Sequence, residues 1–335
     1  MRYIGAKTRV LDFINDTIEK TYGDYSDAIV ADLFSGTACV SEMFKKHKAK
    51  VISNDYMAFS YAFQMAKIKL NTIPECKIDY NSALNLLNNI QGEKGFFYKH
   101  YCINENNDRN YFTVENSMKI DAICKKLREW KREDLIDSEM FYLLTASLID
   151  AVTKVSNTTG TYGTFLKIND PRMFKTLQLE KISPIDNGKK NDCYCEDIMD
   201  LISEVEGDIL YLDPPYNGRQ YPPYYHILET VTLYDEPNIY GKTGRRPYED
   251  KLSPFCQKEK AITAMCELIS KAKFGHIYIS YSTDGIMQYK ELCEELKKYG
   301  TVECFFKPYR RYKSNSKGKM EENGKLKEII IYVKK

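Results

Sequence analysis

The stretch Ile209-Leu210-Tyr211-Leu212-Asp213-Pro214-Pro215-Tyr216 reads as a buried strand that stops in an acidic, proline-stiffened corner. A short apolar run of this kind fits a strand covered on both faces, as in a parallel sheet. Pro214 and Pro215 have no amide hydrogen to extend a ladder, and each fixes its φ, so the strand ends there and the turn is stiff. The corner holds a carboxylate, a rigid carbonyl and an aromatic ring at the place where open α/β sheets bind ligands. An aromatic amine is a poor nucleophile, because its lone pair is shared with the ring. Two acceptors for its N–H groups, the Asp213 carboxylate and the Pro214 carbonyl, favour rehybridisation and stabilise the charge that develops as nitrogen attacks. Tyr216 offers a ring on which a base can stack.

Outward from this corner, short apolar runs recur at 28–34, 50–54, 277–281, 302–306 and 328–333, with a weaker one at 192–195. Most are separated by amphipathic helical patterns. That alternation predicts an α/β chain with a mostly parallel sheet covered on both faces. The final run is strongly β-branched and follows the polar, glycine-containing stretch 314–324, so the last two strands are expected to form an antiparallel hairpin. Residues 80–189 break the pattern. Helical periodicity at 115–131 and 138–155 is followed by the Thr- and Gly-rich loop 156–163. This predicts a smaller, mainly helical inserted domain, with 1–79 and 190–335 forming the principal one.

The first strand ends Ala31-Asp32-Leu33-Phe34-Ser35-Gly36-Thr37-Ala38. An acid at a strand end, followed by a small-residue turn, is a nucleotide-binding arrangement, and Gly36 lets the backbone approach a ligand closely. Asp55 ends the second strand, 23 residues beyond Asp32, near the offset at which a carboxylate takes ribose hydroxyls. The full GxGxxG of a dinucleotide fold is absent.

Composition narrows the class. The formal net charge of +2 does not announce a polyanion partner, but its distribution is uneven. Residues 305–335 carry ten Lys or Arg against three Glu, and Lys242, Arg245 and Arg246 form a second basic spot. Local basic patches on a near-neutral body fit a protein that holds nucleic acid on one face. Ten cysteines without a CxxC pair read as reduced thiols rather than a disulfide or zinc framework. No long uncharged apolar run or signal core is evident, so a cytoplasmic location without a membrane is expected. Gly241-Lys242-Thr243 lacks the earlier glycine of a phosphate loop and is not read as one.

With these residues in order, the sequence resembles the Dam-like DNA adenine-N6 methyltransferases, over nearly the whole chain. Asp213-Pro214-Pro215-Tyr216 matches that family's catalytic tetrad. Arg2-Tyr3-Ile4-Gly5-Ala6-Lys7 matches its amino-terminal motif, and Asp32–Ala38 matches DxFxGxG with Ala38 in place of the last glycine. The resemblance implies a Rossmann-like class I methyltransferase fold using S-adenosyl-L-methionine and no metal. It implies that Tyr3, Lys7, Asp32, Phe34, Gly36, Asp55 and Asp197 bind the cofactor, with Asp197 accepting from its adenine amine. Double-stranded DNA is the implied partner, with its target adenine rotated out of the helix. The segments 157–167, 217–221 and 225–229 look more like restriction-modification enzymes than housekeeping ones, which implies a cognate restriction endonuclease acting separately. The insertion would be the target-recognition domain. Asn157, Tyr162, Arg219, Tyr225, His226, Lys242, Arg245 and Arg246 are the expected substrate contacts, together with Arg310, Arg311, Tyr312, Ser314 and Asn315 of the basic tail. The rival readings are a methyltransferase acting on another amine, in RNA adenine or at cytosine N4, and a DNA-binding subunit that keeps the fold without turnover.

Overall fold

The computed structural model describes residues 7–308 and 327–335. Tyr3, Arg310, Arg311, Tyr312, Ser314 and Asn315 lie outside the described residues. In chain order the main elements are α1 (Leu11–Thr21), β1 (Ile29–Asp32), α2 (Cys39–Lys46), β2 (Lys50–Asn54), α3 (Ala58–Gln64), α4 (Tyr80–Asn88), α5 (Phe96–Tyr101), α6 (Val114–Arg132) and α7 (Ser138–Val155). They continue as β3 (Asp192–Tyr194), α8 (Ile198–Leu201), β4 (Glu206–Leu212), α9 (Pro222–Leu233), α10 (Lys258–Lys271), β5 (Lys273–Ser282), α11 (Tyr289–Leu296), β6 (Thr301–Pro308) and β7 (Lys327–Lys334).

The strands form one sheet in the order β3-β2-β1-β4-β5-β7-β6. β1 pairs in parallel with β2 and β4, β2 with β3, and β4 with β5. β7 runs antiparallel between β5 and β6. This is the expected Rossmann-like class I methyltransferase arrangement, with the last two strands paired antiparallel. Strand order reverses between β1 and β4, and the carboxyl ends of strands beside such a reversal form a crevice.

Strand alternation assigns each face. Ala31, Ile52, Leu210, Leu212, Ile277, Ile279, Ile329 and Ile331 pack with α8, α10 and α11. Val30, Val51, Ile209, Tyr211, Tyr278, Ile330 and Tyr332 point the other way, against α1 and α2. Helices α4 to α7, from the 80–189 segment, share a third apolar cluster with α3 and α9. Phe59, Phe63, Tyr225 and Leu228 therefore belong to the same buried cluster as Phe97, Leu144 and Val152.

Two buried carboxylates fix how these helices meet. Asp121 of α6 accepts from the Gly95, Phe97 and Tyr98 amides and from the Tyr234 hydroxyl. It thus satisfies the otherwise orphaned amino-terminal amides of α5. Glu229 of α9 does the same for α3, accepting from the Ala58 and Phe59 amides at 3.2 and 3.1 Å. Lys251 completes that site at 2.9 Å from Glu229. Replacing Glu229 with Ala leaves two helix-end amides and a half-buried ammonium without their carboxylate. We expect it to lower unfolding free energy by about 3 kcal/mol, read as a shift of the urea midpoint.

Candidate functional site

β1, β2 and β4 end on one side of the sheet, and their terminal acids come together there. A single pocket is lined by Lys7, Asp32, Phe34, Gly36, Asp55, Asp197, Asp213 and Pro215. It therefore gathers every described residue expected to bind cofactor, together with half of the proline corner. Each acid is held differently. Asp32 is buried, and its Oδ2 accepts from the Ser41 amide at 3.0 Å and the Ser41 hydroxyl at 2.6 Å. Its Oδ1 has no hydrogen-bond partner among the described residues. Burial pushes its carboxyl up to about 7, against the pull of the Ser41 hydrogen bonds. Asp55 accepts from the Gly36 amide at 2.8 Å and the Met57 amide at 3.0 Å. Burial raises its pKa as well, although both amides favour the charged form.

The Asp55–Gly36 bond explains the loop between β1 and α2. Gly36 has a φ of 53°, in the left-handed region that glycine enters without penalty. Ala38, where the resembled motif has glycine, has a φ of 60° and is fully buried. The departure from glycine therefore keeps the same turn, at the steric expense a Cβ brings there. Asp197 caps α8 by accepting from the Met199 amide at 2.8 Å while facing the pocket. The capping role and the expected cofactor role are compatible, because a carboxylate has further lone pairs.

Asp213 follows β4 on the α1/α2 face, two residues beyond Tyr211. Its Oδ1 lies 3.1 Å from the Lys7 Nζ, an ion pair. Burial pushes the Asp213 carboxyl up to about 6, and the adjacent Lys7 charge limits the rise. For Lys7, burial alone would lower the pKa, but Asp213 and Glu328 outweigh it and hold the ammonium above its ordinary range. Tyr216 stands edge-on to Tyr281, with ring centroids 6.4 Å apart, and the Lys7 ammonium sits 5.6 Å from its ring centre.

A strap formed by residues 249–256 closes one side of the pocket. Gln220, in the turn after the proline corner, makes reciprocal bonds with Ser253 at 3.0 and 2.8 Å. Lys251 donates to the Tyr56 carbonyl and to Glu229, and Phe255 meets Phe34 edge-to-face at 5.3 Å. Sequence reading missed Gln220, Tyr221, Lys251, Glu229 and Glu328 as parts of the site. For Glu328 a signal existed. It has the same strand parity as Ile330 and Tyr332 and so faces inward, a position where a lone acid needs a partner.

The described residues expected to contact substrate are not gathered at this pocket. Asn157 is fully buried. Its side chain donates to the Asn110 and Leu166 carbonyls and accepts from the Asp170 amide, so it organises the 156–170 loop. Tyr162 is buried, and its carbonyl accepts from Tyr111 and contacts the His226 Nε2 at 2.9 Å. His226 has no exposed surface, and burial drives its pKa down to about 3, so the ring is neutral. Tyr225 packs on Phe59, at 5.4 Å between centroids. Arg219 and Lys242 are exposed. Arg246 is held by Asp235 through two bonds, and Arg245 lies over Tyr240. Arg109 braces the 241–242 turn by donating to both carbonyls. Because Asn157 has all these partners in the interior, Asn157→Ala is expected to cost about 3 kcal/mol of stability. Denaturant titration should detect that loss with neither cofactor nor DNA present.

The chain is 45% identical over 345 residues to the type II methyltransferase M.FokI of Planomicrobium okeanokoites, spanning 100% of this chain and 53% of that protein. It is 37% identical to the modification methylase LlaI of Lactococcus lactis subsp. lactis, covering 100% of this chain and 55% of that one. It thus spans about half the length of these two relatives. The type II methyltransferase M.NlaIII of Neisseria lactamica is 35% identical and matches at nearly full length, 94% of this chain against 93% of that protein. A family model described as D12 class N6 adenine-specific DNA methyltransferase matches residues 3–292. The chain belongs to the D12 class N6 adenine-specific DNA methyltransferase family.

Proposed function

We propose that this protein is a site-specific methyltransferase that modifies the exocyclic N6 amine of adenine in double-stranded DNA. In this reading it protects DNA within a restriction-modification system, beside a separately acting endonuclease, in the cytoplasm. The observation that carries the reading is Asp213. It is a largely shielded carboxylate at the end of a central strand, paired with the Lys7 ammonium at 3.1 Å, in the pocket that also holds Asp32 and Asp55. Among the described residues no helix is long and apolar enough to cross a membrane.

The residues fit S-adenosyl-L-methionine. Asp32 Oδ1 is a buried acceptor without a donor among the described residues, and it suits a ligand that brings positive charge and N–H groups. Asp55 spends one bond per oxygen on the backbone and retains lone pairs for ribose hydroxyls. Asp197 lines the same pocket and would take the adenine amine, with Phe34 and Phe255 as apolar walls. Bound there, the cofactor supplies an electrophilic methyl group on a positively charged sulfur.

The chain's own residues then act on the base. Asp213 and the Pro214 carbonyl accept the two N–H groups of the target amine and favour pyramidal nitrogen, an effect largest in the transition state. The prolines fix both acceptors before the base arrives, so little reorganisation remains. Tyr216 supplies the stacking face for a base taken out of the duplex. Arg219 and Lys242, both exposed, offer charge to phosphates. The helical segment 80–189, together with Arg245 and Arg246, would contribute target recognition.

Duplex DNA incubated with methyl-labelled cofactor and digested to nucleosides should yield label as N6-methyladenine. Label in N4-methylcytosine, or preferential labelling of RNA, would sink the reading. Asp213→Ala should retain cofactor binding in calorimetry yet lower the single-turnover rate by about 10²–10³-fold.

A further inference from the structure

Lys7 bridges two carboxylates that lie far apart in sequence. Its Nζ is 2.6 Å from Glu328 Oε1 and 3.1 Å from Asp213 Oδ1. All three side chains are largely shielded, with relative exposures of 6%, 9% and 16% for Lys7, Glu328 and Asp213. The topology explains why they meet. Asp213 follows β4 and Glu328 is the second residue of β7, with β5 paired to both strands between them. Both acids share the strand parity of Tyr211 and Tyr332, so both face α1 and α2. Lys7 lies in the short helical turn 7–9 that leads into α1. It reaches down onto the same face and also lies against the Tyr216 ring.

We infer that Glu328 is a positioning residue: it anchors the Lys7 ammonium against Asp213 and the Tyr216 ring, and so fixes the acceptor side of the reaction site. This rests on the reading of Asp213 as the acceptor for the reacting amine. A lysine side chain has four flexible carbons and a strongly hydrated head, so a single ion-pair contact would not hold it in place. The short bond to Glu328 is charge-assisted and supplies the missing constraint. Two carboxylates facing one ammonium also leave an excess negative charge beside the pocket, which suits a cationic cofactor. A buried ion cluster of this kind is a poor way to stabilise a fold, since desolvation offsets its attraction. Its place beside the proline corner gives it a different use. Once Lys7 is fixed, Asp213 stays aimed at the pocket instead of following a mobile cation.

The test uses Glu328→Ala, Glu328→Gln and the full chain. In the protein without cofactor, amine-reactive labelling at Lys7, mapped by mass spectrometry, reads the anchor directly. Labelling should rise severalfold in Glu328→Ala. It should stay near wild type in Glu328→Gln, whose amide oxygen still accepts from Lys7. In turnover, Glu328→Ala should lower kcat by about 10²-fold with KM for DNA little changed, and Glu328→Gln should recover most of that loss. The inference is overturned if Lys7 stays protected and kcat stays within twofold in Glu328→Ala. It is equally overturned if Glu328→Gln loses as much kcat and Tm as Glu328→Ala, which would mark a structural residue only. Should Glu328→Ala fail to fold, Glu328→Gln decides alone. Retained Lys7 protection and kcat within about fivefold support the anchor, and loss of either contradicts it. Wild-type protein that does not methylate adenine at all would instead remove the reading on which the inference rests, and Lys7 labelling would still report the anchor.

Discussion

A buried carboxylate beside a buried ammonium at the end of β4 is the constraint around which the rest of this molecule is arranged. Asp213 and Lys7 both pay for desolvation, and their mutual attraction returns part of it. Two prolines directly after Asp213 prevent the strand from carrying the carboxylate elsewhere. The sheet then matters as a placing device. Its order reverses between β1 and β4, so Asp32, Asp55 and Asp213 reach the same crevice from three strands. Holding several carboxylates so close would be costly without donors, and the backbone supplies them at Asp32 and Asp55.

The remaining helices support this edge at one remove. Glu229 ties α9, which follows the proline corner, to the amino end of α3 and to Lys251 of the strap. Gln220 and Ser253 tie the same corner to that strap. The loop at 156–170 is stitched through Asn157 and reaches α9 through the Tyr162 amide, which donates to the Tyr224 carbonyl at 2.7 Å. Apolar packing is continuous from α3 through α7 to α9. A shift in the helical segment would therefore be felt at the start of α9, a few residues from Tyr216.

Much of this was legible in the sequence, and the reasons are specific. The runs ending in Asp32 and Asp213 are apolar and then abruptly polar, which a parallel strand end requires, and Pro214-Pro215 leaves little freedom about where β4 stops. The β-branched run 328–333 indicated its antiparallel pairing with the preceding strand. What was hard to read lies in long-range polar pairing. Glu328 meets Lys7 across 321 positions, and no local pattern encodes that bond. The family resemblance suggested that Asn157 and His226 contact substrate, yet Asn157 is bonded to Asn110, Leu166 and Asp170 in the interior, and His226 is buried with its Nε2 against the Tyr162 carbonyl. The basic spot at 242–246 looked free of acids because Asp235, which holds Arg246, lies eleven residues upstream.

The measurement closest to the central claim is the pH dependence of single-turnover methyl transfer at saturating cofactor and DNA. Asp213 accepts far more strongly when ionised, and burial pushes its carboxyl up to about 6, a rise that the Lys7 charge limits. The rate should climb as pH rises through about 6 and level off above it. A rate already flat down to pH values near 4 would place the working carboxylate at its ordinary affinity for protons, and would contradict the account.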